Sequence, residues 1–165
     1  MKAIVAVDKN WGIGKNNDLL FSIPEDMKFF RKTTLNKVVV MGRKTLESFP
    51  NGAPLKNRVN IVLSSSLNKD GCITVKNIEI LKEKLKEFND DDIFVIGGAT
   101  VYKLLLPYIS TALVTKVDAD GGATVFFENL DKLSNWKMES ESEEIETNGY
   151  KIKFIEYKNL ETKEL

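Results

Sequence analysis

The sequence predicts an α/β protein with a mainly parallel sheet closed at one edge by an antiparallel hairpin. Two observations carry this expectation. Short β-branched runs alternate with helical patterns through most of the chain, and Asn148-Gly149 then separates two final strand-like runs. Taken in order, KAIVAVD (2–8) reads as a buried strand. KNWGIGKNNDLLFS (9–22) is too long for a simple connection, and Trp11, Ile13, Leu19, Leu20 and Phe21 make it too apolar for disorder. In SIPEDMKFFRK (22–32), Ser22 and Glu25 have the spacing of a capping box, and Pro24 suits a first helical turn. Met27, Phe29 and Phe30 follow as the apolar part of that helix. Asp26 lies four residues before Phe30, so a carboxylate shares a helix face with an apolar group. The ordinary reading is an acid stabilised by the helix dipole.

KVVVMG (37–42) is a second buried strand, running directly into a short helix, RKTLESF (43–49). RVNIVLS (58–64) and CITV (72–75) read as strands, and residues 77–88 place Ile78, Leu81, Leu85 and Phe88 on one helical stripe. DIFVIGG (92–98) is another buried strand, ATVYKLLLP (99–107) a helix ended by Pro107, and ALVTKVDA (112–119) a further strand. A two-residue turn at Asn148-Gly149 sets Glu146 opposite Lys151, Ile145 opposite Ile152 and Glu144 opposite Lys153. The acidic run ESESEEIE (139–146) is then one strand paired with a basic one.

The 165 residues are expected to form one domain, with about 159–165 a dispensable tail. Lys plus Arg equals Asp plus Glu, 24 each, so no global field favours nucleic acid or an anionic membrane. No apolar run approaches the roughly 18 residues of a membrane span. Cys72 is the only cysteine, so no intrachain disulfide can form, and the expected compartment is the cytoplasm. The chain has no histidine. His-based zinc sites, Ser-His and Cys-His nucleophile pairs and histidine acid/base catalysis are therefore excluded, and no metal site is expected. Catalysis must use carboxylates, Lys, Tyr, bound water or an external cofactor.

WGIG lacks the third glycine of a dinucleotide fingerprint, and GRKT lacks the first glycine of a phosphate loop because position 37 is Lys. Two features survive. In VMGRKT a strand ends at Gly42 and a helix begins with Arg43, Lys44 and Thr45, which forms an anion site or a solvated surface helix. In FVIGGATVY a strand reaches Gly97-Gly98 before a helix, which lets backbone approach a ligand or makes a tight turn. Two such sites after parallel strands suit an extended phosphate-bearing ligand such as a dinucleotide.

With IVAVDKNWGIGKNNDL, IPEDMKFF, KVVVMGRKTLESF and IGGATVY in this order and spacing, the chain resembles dihydrofolate reductase from residue 1 to about 158. The resemblance implies an eight-stranded, mostly parallel sheet flanked by about four helices. It implies NADPH-dependent reduction of 7,8-dihydrofolate to 5,6,7,8-tetrahydrofolate, supplying one-carbon and thymidylate metabolism in a cytoplasmic monomer open to antifolate-type inhibitors. Hydride would go to C6, and a water admitted by the 9–22 loop would protonate N5. Asp26 takes the position of the family's pocket acid, which holds the pterin N3 and 2-amino group. Val5, Ala6, Met27, Phe30, Phe49 and Leu55 would line the folate pocket, Arg58 would pair with the substrate α-carboxylate, and Thr115 would support the acid. Ala6, Ile13 and Gly14 would approach the nicotinamide. Gly42, Arg43, Lys44 and Thr45, with Gly97, Gly98, Ala99, Thr100, Val101 and Tyr102, would hold the pyrophosphate. Arg43, Ser64 and Ser65 would contact the 2′-phosphate.

Three departures from the family pattern stand out: Leu20-Phe21 where Pro-Trp is common, Ala123 where Asp often precedes Thr124, and Phe127 where Pro is usual. The first two bear on the active-site loop, because Ala123 lacks the acid of an expected loop-to-loop hydrogen bond. Two other readings are a pyrimidine reductase of the riboflavin pathway and a non-catalytic dinucleotide-binding module. Asp26 followed by Met27 and Phe30, together with Arg58, suits a pterin with a glutamate tail and argues against the first, and an intact acid in an apolar pocket disfavours the second.

Overall fold

β-Branched runs become strands and striped segments become helices along most of the chain. The computed structural model describes residues 1–16 and 18–165, so Asn17 of the 9–22 loop lies outside the described residues. The first half comprises β1 (Lys2–Val7), β2 (Gly12–Lys15), β3 (Asp18–Leu19), α1 (Pro24–Thr34), β4 (Val38–Gly42), α2 (Arg43–Ser48), β5 (Val59–Leu63) and β6 (Cys72–Val75). The second comprises α3 (Ile78–Leu85), β7 (Ile93–Gly97), α4 (Ala99–Leu105), β8 (Thr111–Val117), β9 (Val125–Phe126), β10 (Trp136–Glu141), β11 (Ile145–Thr147) and β12 (Tyr150–Asn159).

Eight strands form the main sheet in the order β10-β12-β8-β1-β7-β4-β5-β6, and β11 pairs with β12 beyond β10. The pairs from β8 through β6 are parallel, and those of β12 are antiparallel. This is the predicted α/β class with its antiparallel edge. Ala3, Val5, Val7, Val95 and Val114 point to one face, where Leu81 and Leu85 of α3 and Val101 and Leu105 of α4 cover them. Val39, Met41 and Val62 point to the other face, where Leu46 of α2 packs. Helices thus cover both faces, which is why the central strands read as continuous apolar runs. The loop strands β2 and β3 form a separate small sheet with β9.

Two local expectations need correction. The residue before α1 is Ile23, extended at φ −116° and ψ 113°, and no side chain caps the helix. Pro24 occupies the first helical position and holds its predecessor extended, so Ser22 lies one residue too early for a capping box. The acidic run is also not one strand, because β10 stops at Glu141 and β11 starts at Ile145. The Ser142 hydroxyl accepts the Phe154 N–H at 2.9 Å, taking the place of a ladder carbonyl. Lys153 consequently pairs with Glu141 at 2.7 Å rather than facing Glu144 across a ladder. The turn itself forms as expected: Asn148 and Gly149 both have positive φ, and Glu146–Lys151 and Ile145–Ile152 are in register. Beyond Asn159, the Lys163 N–H donates to Pro107 O at 2.9 Å and Leu165 packs on the core.

Candidate active site

The first turn of α1 faces the carboxyl half of β8. There Thr115 Oγ1 donates to Asp26 Oδ1 at 2.7 Å, and Thr115 is the register partner of Ala6 on β1. Asp26, Thr115 and Ala6 are therefore together. Burial raises the pKa of the Asp26 carboxyl, and the Thr115 hydrogen bond opposes part of that rise. Thr34 is the only described residue of α1 that is buried, while Met27 remains 57% exposed and Phe30 is half-buried. The apolar face of α1 thus borders an open cleft rather than the core, and this explains an acid beside it. Phe29 leaves that cleft and packs on Phe154, with ring centroids 4.7 Å apart.

Arg58 sits at the far side of Phe30, its guanidinium 6.0 Å from the ring centroid. Among the described residues, its Nε is the one buried side-chain nitrogen or oxygen without a hydrogen-bond partner. Burial, and then the neighbouring Arg31 charge, lower its pKa. A buried N–H beside a second cation is a site for an anion. Asn60, missed in the sequence, fixes this corner: its amide donates to Leu55 O and Arg58 O and accepts from the Leu55 N–H. Phe49 and Leu55 pack together with Met41 and Val62 on the same sheet face as α2. Val5 points the other way, into the opposite core, so only its backbone borders the cleft side. Ile4 was also missed. Its carbonyl accepts the buried Tyr102 hydroxyl at 2.7 Å, tying β1 to α4.

The cofactor candidates lie in a row that follows the sheet order. Ala6 near the end of β1, Gly97 at the end of β7, Gly42 at the end of β4 and Ser64 after β5 terminate four adjacent parallel strands. The chain leaves β4 through α2 toward β5 and leaves β7 through α4 toward β8, in opposite directions along the sheet. The boundary between β4 and β7 is therefore a topological switch point, where open α/β sheets bind ligands. α2 and α4 both begin here, after Gly42 and Gly98, without a capping side chain or an acid in the first turn. Thr45 Oγ1 bridges them: a Cβ added at Gly97 or Gly98 would lie 3.5 Å or 3.6 Å from it. The free N–H groups, with exposed Lys44 and Thr100, fit a pyrophosphate. Arg43 at the neighbouring edge donates to Glu47 at 2.6 Å, and Ser65 is exposed beside Ser64.

Ile13 and Gly14 lie on β2, held by Gly14 opposite Val125 and by the Thr124 N–H donating to Gly14 O at 3.0 Å. Trp11 enters the loop through a left-handed φ of 64° and stacks on Phe127 at 6.2 Å, which in turn meets Tyr102 edge-on at 4.9 Å.

A family model described as "Dihydrofolate reductase" matches residues 1–159. The chain is 37% identical to the dihydrofolate reductase of Bacillus subtilis over 158 residues, 93% of this chain and 91% of that protein. It is 35% identical to that of Haemophilus influenzae, covering 92% and 94% respectively. The chain belongs to the dihydrofolate reductase family. Within that family's frame, the three departures have structural settings. Leu20 and Phe21 flank Gly121, Phe127 links Trp11 to Tyr102, and Ala123 packs on Gly12.

Proposed function

We propose that this dihydrofolate reductase family member reduces 7,8-dihydrofolate to 5,6,7,8-tetrahydrofolate with NADPH. The observation that carries the reading is a half-buried carboxylate, Asp26, held by Thr115 at one end of an apolar cleft, with the partnerless Arg58 N–H at the other. One acid and one cation on either side of apolar side chains suit a pterin ring joined to a glutamate. Asp26 would accept from the pterin N3 and 2-amino groups, while Arg58 binds the α-carboxylate. Val5, Ala6, Met27, Phe30, Phe49 and Leu55 would border the ring and its linker.

When bound, NADPH supplies the hydride for C6 of the pterin. The N–H groups at the starts of α2 and α4, with Lys44, Thr45 and Gly97 to Tyr102, would hold its pyrophosphate, and Ala6, Ile13 and Gly14 would border its nicotinamide. Arg43, with Ser64 and Ser65, would select the 2′-phosphate. Its present partner is an exposed i,i+4 Glu47, a pair that contributes only about 0.5 kcal/mol and gives way readily. The 9–22 loop would exclude bulk water and admit the one that protonates N5. Family membership supports reading the protein as a cytoplasmic monomer.

The test follows NADPH absorbance with purified protein, with and without dihydrofolate. Substrate-dependent oxidation that an antifolate blocks, and that NADH sustains poorly, is expected. NADPH binding without oxidation by dihydrofolate would refute the pterin reading and make the riboflavin-pathway pyrimidine the next substrate.

A further inference from the structure

Asp8 follows β1, is 1% exposed, and has no ion-pair partner among the described residues. A carboxylate so placed must be satisfied by hydrogen bonds. Its Oδ1 accepts the N–H groups of Asn10 and Gly12, each at 2.8 Å, and its Oδ2 accepts the N–H of Gly121 at 3.0 Å. The first two belong to the start of the 9–22 loop, and the third to the segment joining β8 to β9. Backbone bonds reinforce the same junction: Asp8 N–H to Gly12 O, Lys9 N–H to Ala119 O, and Trp11 N–H to Asp8 O.

Packing here leaves no room for a side chain at Gly12, and one at Gly121 would require Leu20 and Phe21 to shift. A Cβ at Gly12 would collide with the Ala123 Cβ and lie 3.0 Å from both Asp8 oxygens. A Cβ at Gly121 would lie 2.9 Å from Leu20 Cδ1 and 3.1 Å from Phe21 Cζ. One carboxylate therefore secures the loop at both ends. It binds the entry directly through Asn10 and Gly12, and it fixes Gly121, against which the exit residues Leu20 and Phe21 pack. Ala123 cannot supply a loop-to-loop hydrogen bond from its side chain, whereas Asp8, at the end of β1, binds both segments.

We propose that Asp8 is a positioning residue that fixes the entry of the loop, and with it Ile13 and Gly14 of β2, against the segment joining β8 to β9. Its contribution is the geometry of Ile13 and Gly14, not contact with the reacting atoms, and the inference rests on the activity proposed above. Small displacements of reacting groups can cost about 100-fold in rate, so a loosened clip registers in the chemical step.

The test compares the wild-type chain with Asp8→Asn, whose amide cannot accept all three N–H groups with both of its atoms. In single-turnover oxidation of NADPH by dihydrofolate, the variant is expected to slow hydride transfer by about tenfold or more. The deuterium isotope effect on kcat should rise as chemistry becomes limiting, with KM for dihydrofolate changed less than about threefold. A lowered melting temperature with an unaltered hydride step and isotope effect would overturn the proposal and leave Asp8 purely structural. Amide hydrogen exchange of the wild-type chain provides a readout independent of turnover and of variant folding. Gly12 and Gly121 should be protected together, and a freely exchanging Gly121 amide would overturn the clip. Failure of the wild-type chain to reduce dihydrofolate would refute the activity, while the exchange result would still decide the clip.

Discussion

Thr115 Oγ1 lies 2.7 Å from Asp26 Oδ1, joining β8 to the first turn of α1 across 89 residues of sequence. Burial raises the acid's pKa and this hydrogen bond restrains the rise. Thr115→Val keeps the shape of the buried side chain and removes the donor. The expected result is a further upward shift of the Asp26 titration, read as an upward move of the corresponding midpoint in the kcat/KM pH profile. An unmoved midpoint would mean that the profile reports another group.

Asp26 also links pH to stability. Its folded pKa is raised, so its contribution to stability is full below the unfolded value of 3.8 and is lost as pH rises through the folded value. Near neutral pH, Asp26→Asn should therefore raise the melting temperature, because an uncharged amide avoids the desolvation and can still accept from Thr115. In acid below 3.8 the two proteins should melt nearly together. Turnover near neutral pH should fall about 100-fold or more, with partial recovery at low pH, where the substrate arrives protonated. Near-full activity at neutral pH would show that Asp26 is not the pocket acid.

Arg58 holds a buried N–H without a partner among the described residues and stands beside Arg31. Charge-assisted hydrogen bonds contribute roughly 1.5–3 kcal/mol. Arg58→Leu should then raise KM for dihydrofolate by about 10- to 100-fold. The same variant should handle a dihydropterin lacking the glutamate as the wild type does. Equal losses with both substrates would place the α-carboxylate elsewhere.

Phe127 bridges Trp11 of the loop and Tyr102 of α4, and its N–H donates to Trp11 O at 2.9 Å. Phe127→Ala removes both ring contacts from a buried position, at an expected cost of about 3–5 kcal/mol in denaturant unfolding. Phe127→Pro also deletes the N–H and should be no more stable than the alanine variant. A proline variant as stable as wild type would show that the aromatic bridge contributes nothing here.

Much of the fold was legible because its signals are local. Val38 to Gly42 and Ile93 to Gly97 are β-branched runs closed by glycine, and both are central strands. Leu81 and Leu85 share one stripe and are buried together. By contrast, β3 and β9 are two-residue strands: β3 exists only because the loop folds back on β2, and β9 only because β2 meets the segment after β8. The capping box failed on one residue of phase set by Pro24, and the acidic run breaks at residues 142–144, where the Ser142 hydroxyl accepts the Phe154 N–H. The site was read mainly through resemblance. Asn60 and Asp8 escaped because their partners are backbone groups, and Ile4 because it acts through its own carbonyl; backbone groups carry no residue-type signal.

By itself, the sequence determined where strands, helices and the Asn148-Gly149 turn occur, since these follow from side-chain periodicity and backbone preference within a few residues. It also determined the chemistry available, with no histidine and one cysteine. Only the tertiary structure decided the sheet order that makes β4 and β7 a switch point, the open face of α1 and the partner of each buried polar group. Thr115 meets Asp26 across 89 residues and Gly121 meets Asp8 across 113. Such contacts form because a buried carboxylate must find donors wherever the packed sheet brings them, and no local window of sequence contains that geometry.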